Sequence, residues 1–212
     1  MASTNIREDL KSVLERIGGM CFKAEAILKL CMDGFMKHKV GLIDEAKKMS
    51  LTIRNEGTEL IKLLGAKATE SGNDKETIKS LMSIVNSIEM ANTGLDSTLQ
   101  HVRFKVSEGI LFSDKAVNEV SHLFKETLDI LKTAGDAIVT RNEVLKKYIV
   151  DKYNNLNEIV ERYSVEHEER LIKGVCQPQA SLVYLNIVDS LITAVWHIKQ
   201  ALIRLFENSG NR

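Results

Sequence analysis

Apolar residues recur near the start of the chain at alternating spacings of three and four. The recurring positions are Ile6, Leu10, Val13, Ile17, Met20, Ala24, Ile27, Cys31 and Phe35. This spacing places all of them on one face of an α-helix. The pattern therefore predicts a first helix of about thirty residues, roughly 45 Å long.

Two more helices are expected in the first half of the chain. The second should cover about 41–64 and end at Gly65, because glycine adopts a left-handed C-terminal cap at little cost. Asn73 and Glu76 have the spacing of a capping box, which predicts the start of a third helix. Its apolar positions continue to near Val106.

The second half of the chain repeats this organisation. Ser113 or Asp114 can cap a fourth helix that continues to about 139, and Asn142 can cap a fifth that reaches about 173. Gly174 should end the fifth helix, and Pro178 suits the first turn of a sixth. Proline occurs once and aromatic residues make up 5% of the chain, a composition that favours helices over strands.

A shift of 103 positions lays the second half of the chain on the first without a gap. Identical pairs are Ile27 and Ile130, Leu28 and Leu131, Lys29 and Lys132, Asp33 and Asp136, Ile84 and Ile187, Val85 and Val188, Ser87 and Ser190, and Ala91 and Ala194. Because one inserted residue turns a helix by about 100°, a constant offset predicts equal helix lengths and equal inward faces. We expect an all-α domain over 1–212 with six long antiparallel helices in two tandem three-helix repeats, about 4–108 and 113–208.

Charge and hydropathy narrow the classes of function. Lysine plus arginine equals aspartate plus glutamate at 29 each, so no long-range field favours nucleic acid or an anionic membrane. The apolar stretches are interrupted by charge within about ten residues, short of the roughly 20 that span a bilayer. We expect a soluble, cytoplasmic chain.

Cysteines and helix glycines are expected to be structural. Three cysteines, Cys21, Cys31 and Cys176, have no CxxC spacing and should be free thiols. Three glycines inside predicted helices should mark close helix approach or a local bend. They are Gly57, Gly94 and Gly135.

No arrangement of residues in the sequence indicates catalysis. Glu119 and His122 form one Glu-x-x-His, but a di-iron bundle needs two such motifs and further glutamates. The chain has no nucleophile elbow, phosphate-binding glycine loop or HExxH. We therefore expect a protein that is not an enzyme and has no cofactor.

The last fifty residues contain the most specific motifs. His167-x-x-Arg170-Leu171 is followed by Gly174-x-Cys176-x-Pro178 and then by Tyr184. With the duplication, this order resembles the PhoU family, most of all the PhoU-type domain at the C-terminus of bacterial sodium/phosphate cotransporters. The resemblance implies a regulatory or accessory role in inorganic phosphate transport and phosphate signalling. It also implies contact with a phosphate transporter subunit or a phosphate sensor kinase, with a membrane met only indirectly through the transporter, and it leaves a homodimer open.

Metal-binding members of that family have pairs of acids four residues apart on two helices of each repeat. An i, i+4 pair of carboxylates shares a helix face and can bind one cation. The matching pairs here are Glu89 with Thr93, Ser50 with Arg54, Ile192 with Trp196, and Tyr153 with Asn157. One acid of eight remains, so a metal site is not expected, and Glu89 and His197 are its weak candidates.

The two histidines of the motif region have ordinary structural interpretations. His197 should be a hydrogen-bonded residue on an apolar helix, and His167 should lie at a solvated, polar helix end beside Glu166, Glu168 and Glu169. Two other functions stay open. One is a bundle that binds a multinuclear iron or zinc cluster, and the other is a purely structural oligomerisation bundle.

Overall fold

The computed structural model describes residues 2–70 and 75–207, and the side chains of 10–69 and 75–207. Six helices make up this part of the chain, with no strand among the described residues. They are α1 (Ala2–Lys37), α2 (Val40–Glu70), α3 (Lys75–Ser107), α4 (Asp114–Thr140), α5 (Glu143–Ile172) and α6 (Pro178–Glu207). The expected all-α bundle of six long helices is confirmed.

The helix ends of the second half follow the local sequence signals. The Ser113 hydroxyl accepts from the backbone N–H of Ala116 and caps α4. The Asn142 side chain accepts from the first N–H groups of α5. Gly174 takes a left-handed φ of 70° after α5, and Pro178 is the first residue of α6. All four predictions are confirmed.

The predicted end of the second helix is wrong. α2 continues through Gly65 to Glu70, and Gly65 has no left-handed φ. The residues that follow are Ala66, Lys67 and Ala68, which are strong helix formers, so a single glycine does not stop the helix. The predicted cap Asn73 lies outside the described residues.

Like helices of the two halves pack against each other at the centre of the bundle. α3 packs along α6 and α1 along α4, while α2 lies outside on α1 and α3, and α5 lies outside on α4 and α6. Exchanging α1–α3 with α4–α6 leaves this pattern of neighbours unchanged. A duplicated three-helix unit would give such a pattern, and the repeat bounds stay a prediction.

The three helix glycines lie where helices approach closely, as predicted. A Cβ on Gly94 would stand 3.0 Å from the carbonyl oxygen of Ser190 in α6. A Cβ on Gly57 would meet the Glu89 carboxyl, and one on Gly135 would meet the ring of Phe22. Gly94 therefore faces backbone, whereas the other two face side chains.

α6 is more apolar than the sequence analysis allowed. Asp189 is its single charge between residues 181 and 198. The most apolar 18-residue stretch of α6 has a mean hydropathy of 1.4, so the helix is by length and composition apolar enough to cross a bilayer. However, 56% of that stretch is buried inside the bundle, so packing at the centre accounts for its composition.

The cysteines are free thiols, as expected. Cys21 and Cys31 are buried and Cys176 is half-buried. Burial raises the pKa of Cys21 to about 12 and raises the pKa of Cys31 as well. Neither buried thiol is therefore a reactive thiolate at neutral pH.

Candidate functional site

A buried cluster of polar side chains joins α4, α5 and α6. Arg170 of α5 donates from its two terminal nitrogens to the two carboxylate oxygens of Glu119 in α4, at 3.0 and 2.7 Å. The hydroxyl of Tyr184 in α6 donates to the same carboxylate at 2.7 Å. Glu119 is 4% exposed and Tyr184 1% exposed, so this fork of charged hydrogen bonds is shielded from water.

His167 completes this buried cluster. Its ring stacks on the ring of Tyr184, with the centroids 4.3 Å apart. Its Nδ1 lies 3.3 Å from a terminal nitrogen of Arg170. Because Arg170 can only donate, Nδ1 accepts, and the neutral ring carries its proton on Nε2. Burial, with a smaller contribution from Arg170, lowers the pKa of His167 and favours this neutral form.

The expectation of a solvated His167 is wrong, since His167 is 2% exposed. The polar residues on either side of it suggested a surface position, but Glu168 and Glu169 point outward while His167 faces the bundle. Arg170, one turn later, lies on the same inward side. The His-x-x-Arg spacing is thus the spacing of two neighbours on one buried helix face.

A pocket of about 430 Å³ opens beside the cluster. His167 and Tyr184 line one side of it. The other walls are the α3–α4 loop, the α5–α6 loop, the first turn of α4 and the first turn of α6. These walls contribute Glu108, Gly109, Ile110, Leu111, Phe112, Ser113, Ala116, Val175, Cys176, Gln177, Gln179 and Ala180.

The remaining motif residues shape the loop between α5 and α6. The backbone N–H of Val175 donates to the carbonyl of Arg170 at 2.9 Å, and that of Gly174 donates to Leu171 at 3.0 Å. This is the Schellman pattern, in which a left-handed glycine closes a helix. Leu171 is partly exposed beside the loop, and Pro178 starts α6 with its fixed φ. The motif therefore holds the wall of the pocket in place.

The weak metal candidates lie apart from this pocket. Glu89 and Thr93 of α3 line a second pocket with Arg54 of α2, so the structure does bring these matched positions together. Burial raises the pKa of Glu89, with Arg54 opposing the shift. A guanidinium beside the one remaining acid disfavours a bound cation.

In the second half of the chain, Tyr153, one of the positions matched to the family's metal ligands, also contacts a cation. The Lys199 ammonium lies 3.8 Å above the centroid of the Tyr153 ring. His197 is half-buried and meets the Trp196 ring edge-on, with the centroids 4.7 Å apart. Burial lowers the pKa of His197. No group of three or more histidine, cysteine, aspartate or glutamate side chains among the described residues could bind a metal.

Glu119 and His122 do not form a shared site either. Glu119 is held by Arg170, while His122 contacts the Tyr163 hydroxyl through Nδ1 at 3.1 Å. Sequence reasoning missed Glu119 as the partner of Arg170. Its spacing offered a signal, because Glu119 lies three residues after Ala116 and four before Leu123, both of which are buried. A carboxylate inside an apolar stripe indicates a buried partner.

These features define a class of protein: an all-helical bundle of two three-helix halves with a buried ionic cluster. Neither a family model nor a curated protein matches the chain. Among solved structures it is similar to PhoU from Pseudomonas aeruginosa, with a TM-score of 0.85, 14% identity and 97% of each chain covered. It is also similar to the phosphate transport system regulatory protein PhoU from Streptococcus pneumoniae, with a TM-score of 0.83, 14% identity and 97% of each chain covered. At this identity the likeness establishes the fold.

Proposed function

We propose that this protein is a regulatory or accessory component of inorganic phosphate transport and acts by protein–protein contact without catalysis. The observation that carries the proposal is the structural match of 97% of the chain to two PhoU structures. The motif from His167 to Tyr184 supports it independently, because its order along the chain resembles that family. A cytoplasmic location, with contact to a phosphate transporter subunit or a phosphate sensor kinase, belongs to the same proposal.

Deleting the gene in its native host tests this function. We expect altered phosphate uptake or altered phosphate-responsive transcription, restored when the intact gene is supplied. Uptake of an unrelated anion is the control. Uptake and transcription that stay unchanged in both phosphate-limited and phosphate-replete cells would contradict the proposal.

Partner contact needs an accessible surface, and one end of the second half offers it. Among the described residues, Ile172 is 85% exposed, Leu111 79% and Val175 64%. Leu111 and Val175 line the same pocket, and Ile172 lies at the end of the helix that leads to Val175. We infer that this apolar end, defined by Leu111, Ile172 and Val175, touches the transporter subunit or kinase.

Ile172→Asp tests that surface, and Val144→Asp is its matched control. Val144 is also highly exposed, at 74%, but lies about 40 Å away at the other end of α5. We expect Ile172→Asp to reduce capture of identified phosphate transporter subunits or of the sensor kinase from native membranes at least about fivefold, a loss of about 1 kcal/mol. Equal capture by the two variants would rule out the apolar end as the contact.

A further inference from the structure

We propose that the pocket beside His167 binds a small oxyanion, with inorganic phosphate as the probe that best tests it. The pocket lies where the N-termini of two long helices meet a buried histidine whose outer nitrogen has no partner among the described residues. This inference depends on the geometry of the pocket and not on the proposed role in phosphate transport.

The first element of the site is the Nε2–H of His167. Arg170 occupies Nδ1 as a donor, so the proton lies on Nε2. His167 is 2% exposed and lines the pocket, yet Nε2 has no hydrogen-bond partner. A buried donor without a partner is costly, and an acceptor oxygen in the pocket would satisfy it.

The second element is the pair of helix N-termini. α6 begins with Pro178, which has no N–H, and the pocket is lined by Gln179 and Ala180, whose N–H groups belong to the first helical turn. Ser113, the cap of α4, lines the opposite wall. Its Oγ accepts from Ala116, so its own proton remains free to donate. Helix N-termini favour negative charge through these N–H groups and through the helix dipole.

The charges around the pocket allow an anion. The Glu119 carboxylate is neutralised by Arg170, which leaves Glu108, exposed at the rim, as the acid of the lining. The Lys105 ammonium is 4.9 Å from the centroid of the Phe112 ring, which also lines the pocket. The volume of about 430 Å³ holds a tetrahedral ion and its water, or an anionic group on a larger molecule.

The experiment is a titration of the isotope-labelled full chain, followed by the His167 side-chain nitrogens and the backbone amides in NMR spectra. Inorganic phosphate, sulfate and acetate are added in separate arms at constant ionic strength. We expect His167 to be protonated at Nε2 in the free protein. We also expect saturable shifts of that N–H and of the Gln179 and Ala180 amides, with a Kd in the millimolar range or tighter. Tightest binding of phosphate or sulfate supports a tetrahedral ligand, and tightest binding of acetate supports a carboxylate ligand.

Three variants locate the binding. Gln179→Glu adds a negative charge at an exposed position of the pocket wall and should weaken binding at least about tenfold. Gln200→Glu makes the same change about 30 Å further along α6 and should leave binding unchanged. His167→Phe, which keeps a ring on Tyr184, should abolish the saturable shift at Gln179. If His167→Phe does not fold, the pair of glutamine variants decides. No saturation with any anion up to about 20 mM, or equal affinity of Gln179→Glu and Gln200→Glu, would overturn the proposal.

Discussion

At the scale of single residues, the pair of Glu119 and Arg170 is a contact that cannot be broken without a large cost. Glu119 is buried and Arg170 is mostly buried, at 4% and 12% exposure, and the arginine donates two hydrogen bonds to the carboxylate. Removing one partner leaves an unpaired charge in the interior, whereas removing both leaves no unpaired charge, although the Tyr184 hydroxyl and His167 Nδ1 each lose a hydrogen-bond partner. The same residues set the tautomer of His167, so the pair shapes the pocket as well as the core.

Arg170→Met should lower the free energy of unfolding by about 3–5 kcal/mol, since it leaves Glu119 buried without its counter-charge. Urea denaturation with far-UV circular dichroism measures this change. Lys173→Met is the control, because the Lys173–Glu169 pair is exposed, at 68% and 61%, and such pairs contribute about 0–1 kcal/mol. Adding Glu119→Gln to Arg170→Met should recover part of the loss. A loss from Arg170→Met no larger than that from Lys173→Met would contradict a buried, energetically important pair.

At the scale of helices, the backbone conformation of a glycine decides whether the helix ends there. Gly174 adopts φ 70° and is followed by Val175, whose N–H reaches back to Arg170. Gly65 has no such geometry, and α2 continues through it. Both glycines stand in open space, since a Cβ on either would meet nothing within 4 Å. Backbone conformation is therefore the main difference between them.

These two glycines make a matched test. Gly65→Ala should raise the free energy of unfolding by about 0.5–1 kcal/mol, because alanine loses less entropy than glycine in a helix interior. Gly174→Ala should lower it by about 1 kcal/mol, because a left-handed φ is strained for any residue with a Cβ. Thermal and urea unfolding give both values. Destabilisation by Gly65→Ala would mean that Gly65 terminates the helix after all.

At the scale of the whole molecule, the two halves join where α3 and α6 run side by side. Gly94 permits the closest approach there, because a Cβ would stand 3.0 Å from the Ser190 carbonyl oxygen and 3.1 Å from the Ala194 nitrogen. Backbone atoms cannot move away by a change of rotamer, as a flexible side chain can. A methyl group added at Gly94 would therefore force α3 and α6 apart. The approach of the halves along α3 and α6 thus depends on a position without a side chain, while α1 and α4 form a second contact between them.

Gly94→Ala should lower the free energy of unfolding by about 1–3 kcal/mol, the usual cost of overpacking. Gly135→Ala is the control at the α1–α4 contact, where the added methyl meets the half-exposed ring of Phe22. That ring can rotate away, so we expect a change below about 1 kcal/mol. Urea unfolding of both variants provides the comparison. Equal effects would argue against close backbone packing between α3 and α6.

The sequence predicted most of the fold because its signals are local. Helix periodicity, the caps Ser113 and Asn142, the stop at Gly174 and the start at Pro178 each depend on residues within one or two turns. The predicted stop at Gly65 failed because helix propensity beyond it outweighed one glycine. The candidate site was less predictable, since Glu119 and Arg170 are 51 positions apart and the sequence does not say which buried charges meet.

The amino-acid sequence by itself determined the helical class, the helix order and the repeated pattern of inward faces, because these follow from periodicity along a single chain. Tertiary structure alone decided that His167 is buried rather than solvated, that Arg54 lies beside Glu89 and Lys199 over the Tyr153 ring, and that two helix N-termini share one pocket. The physical reason is that burial and charge pairing depend on neighbours from other helices, and those neighbours are fixed only when the bundle packs.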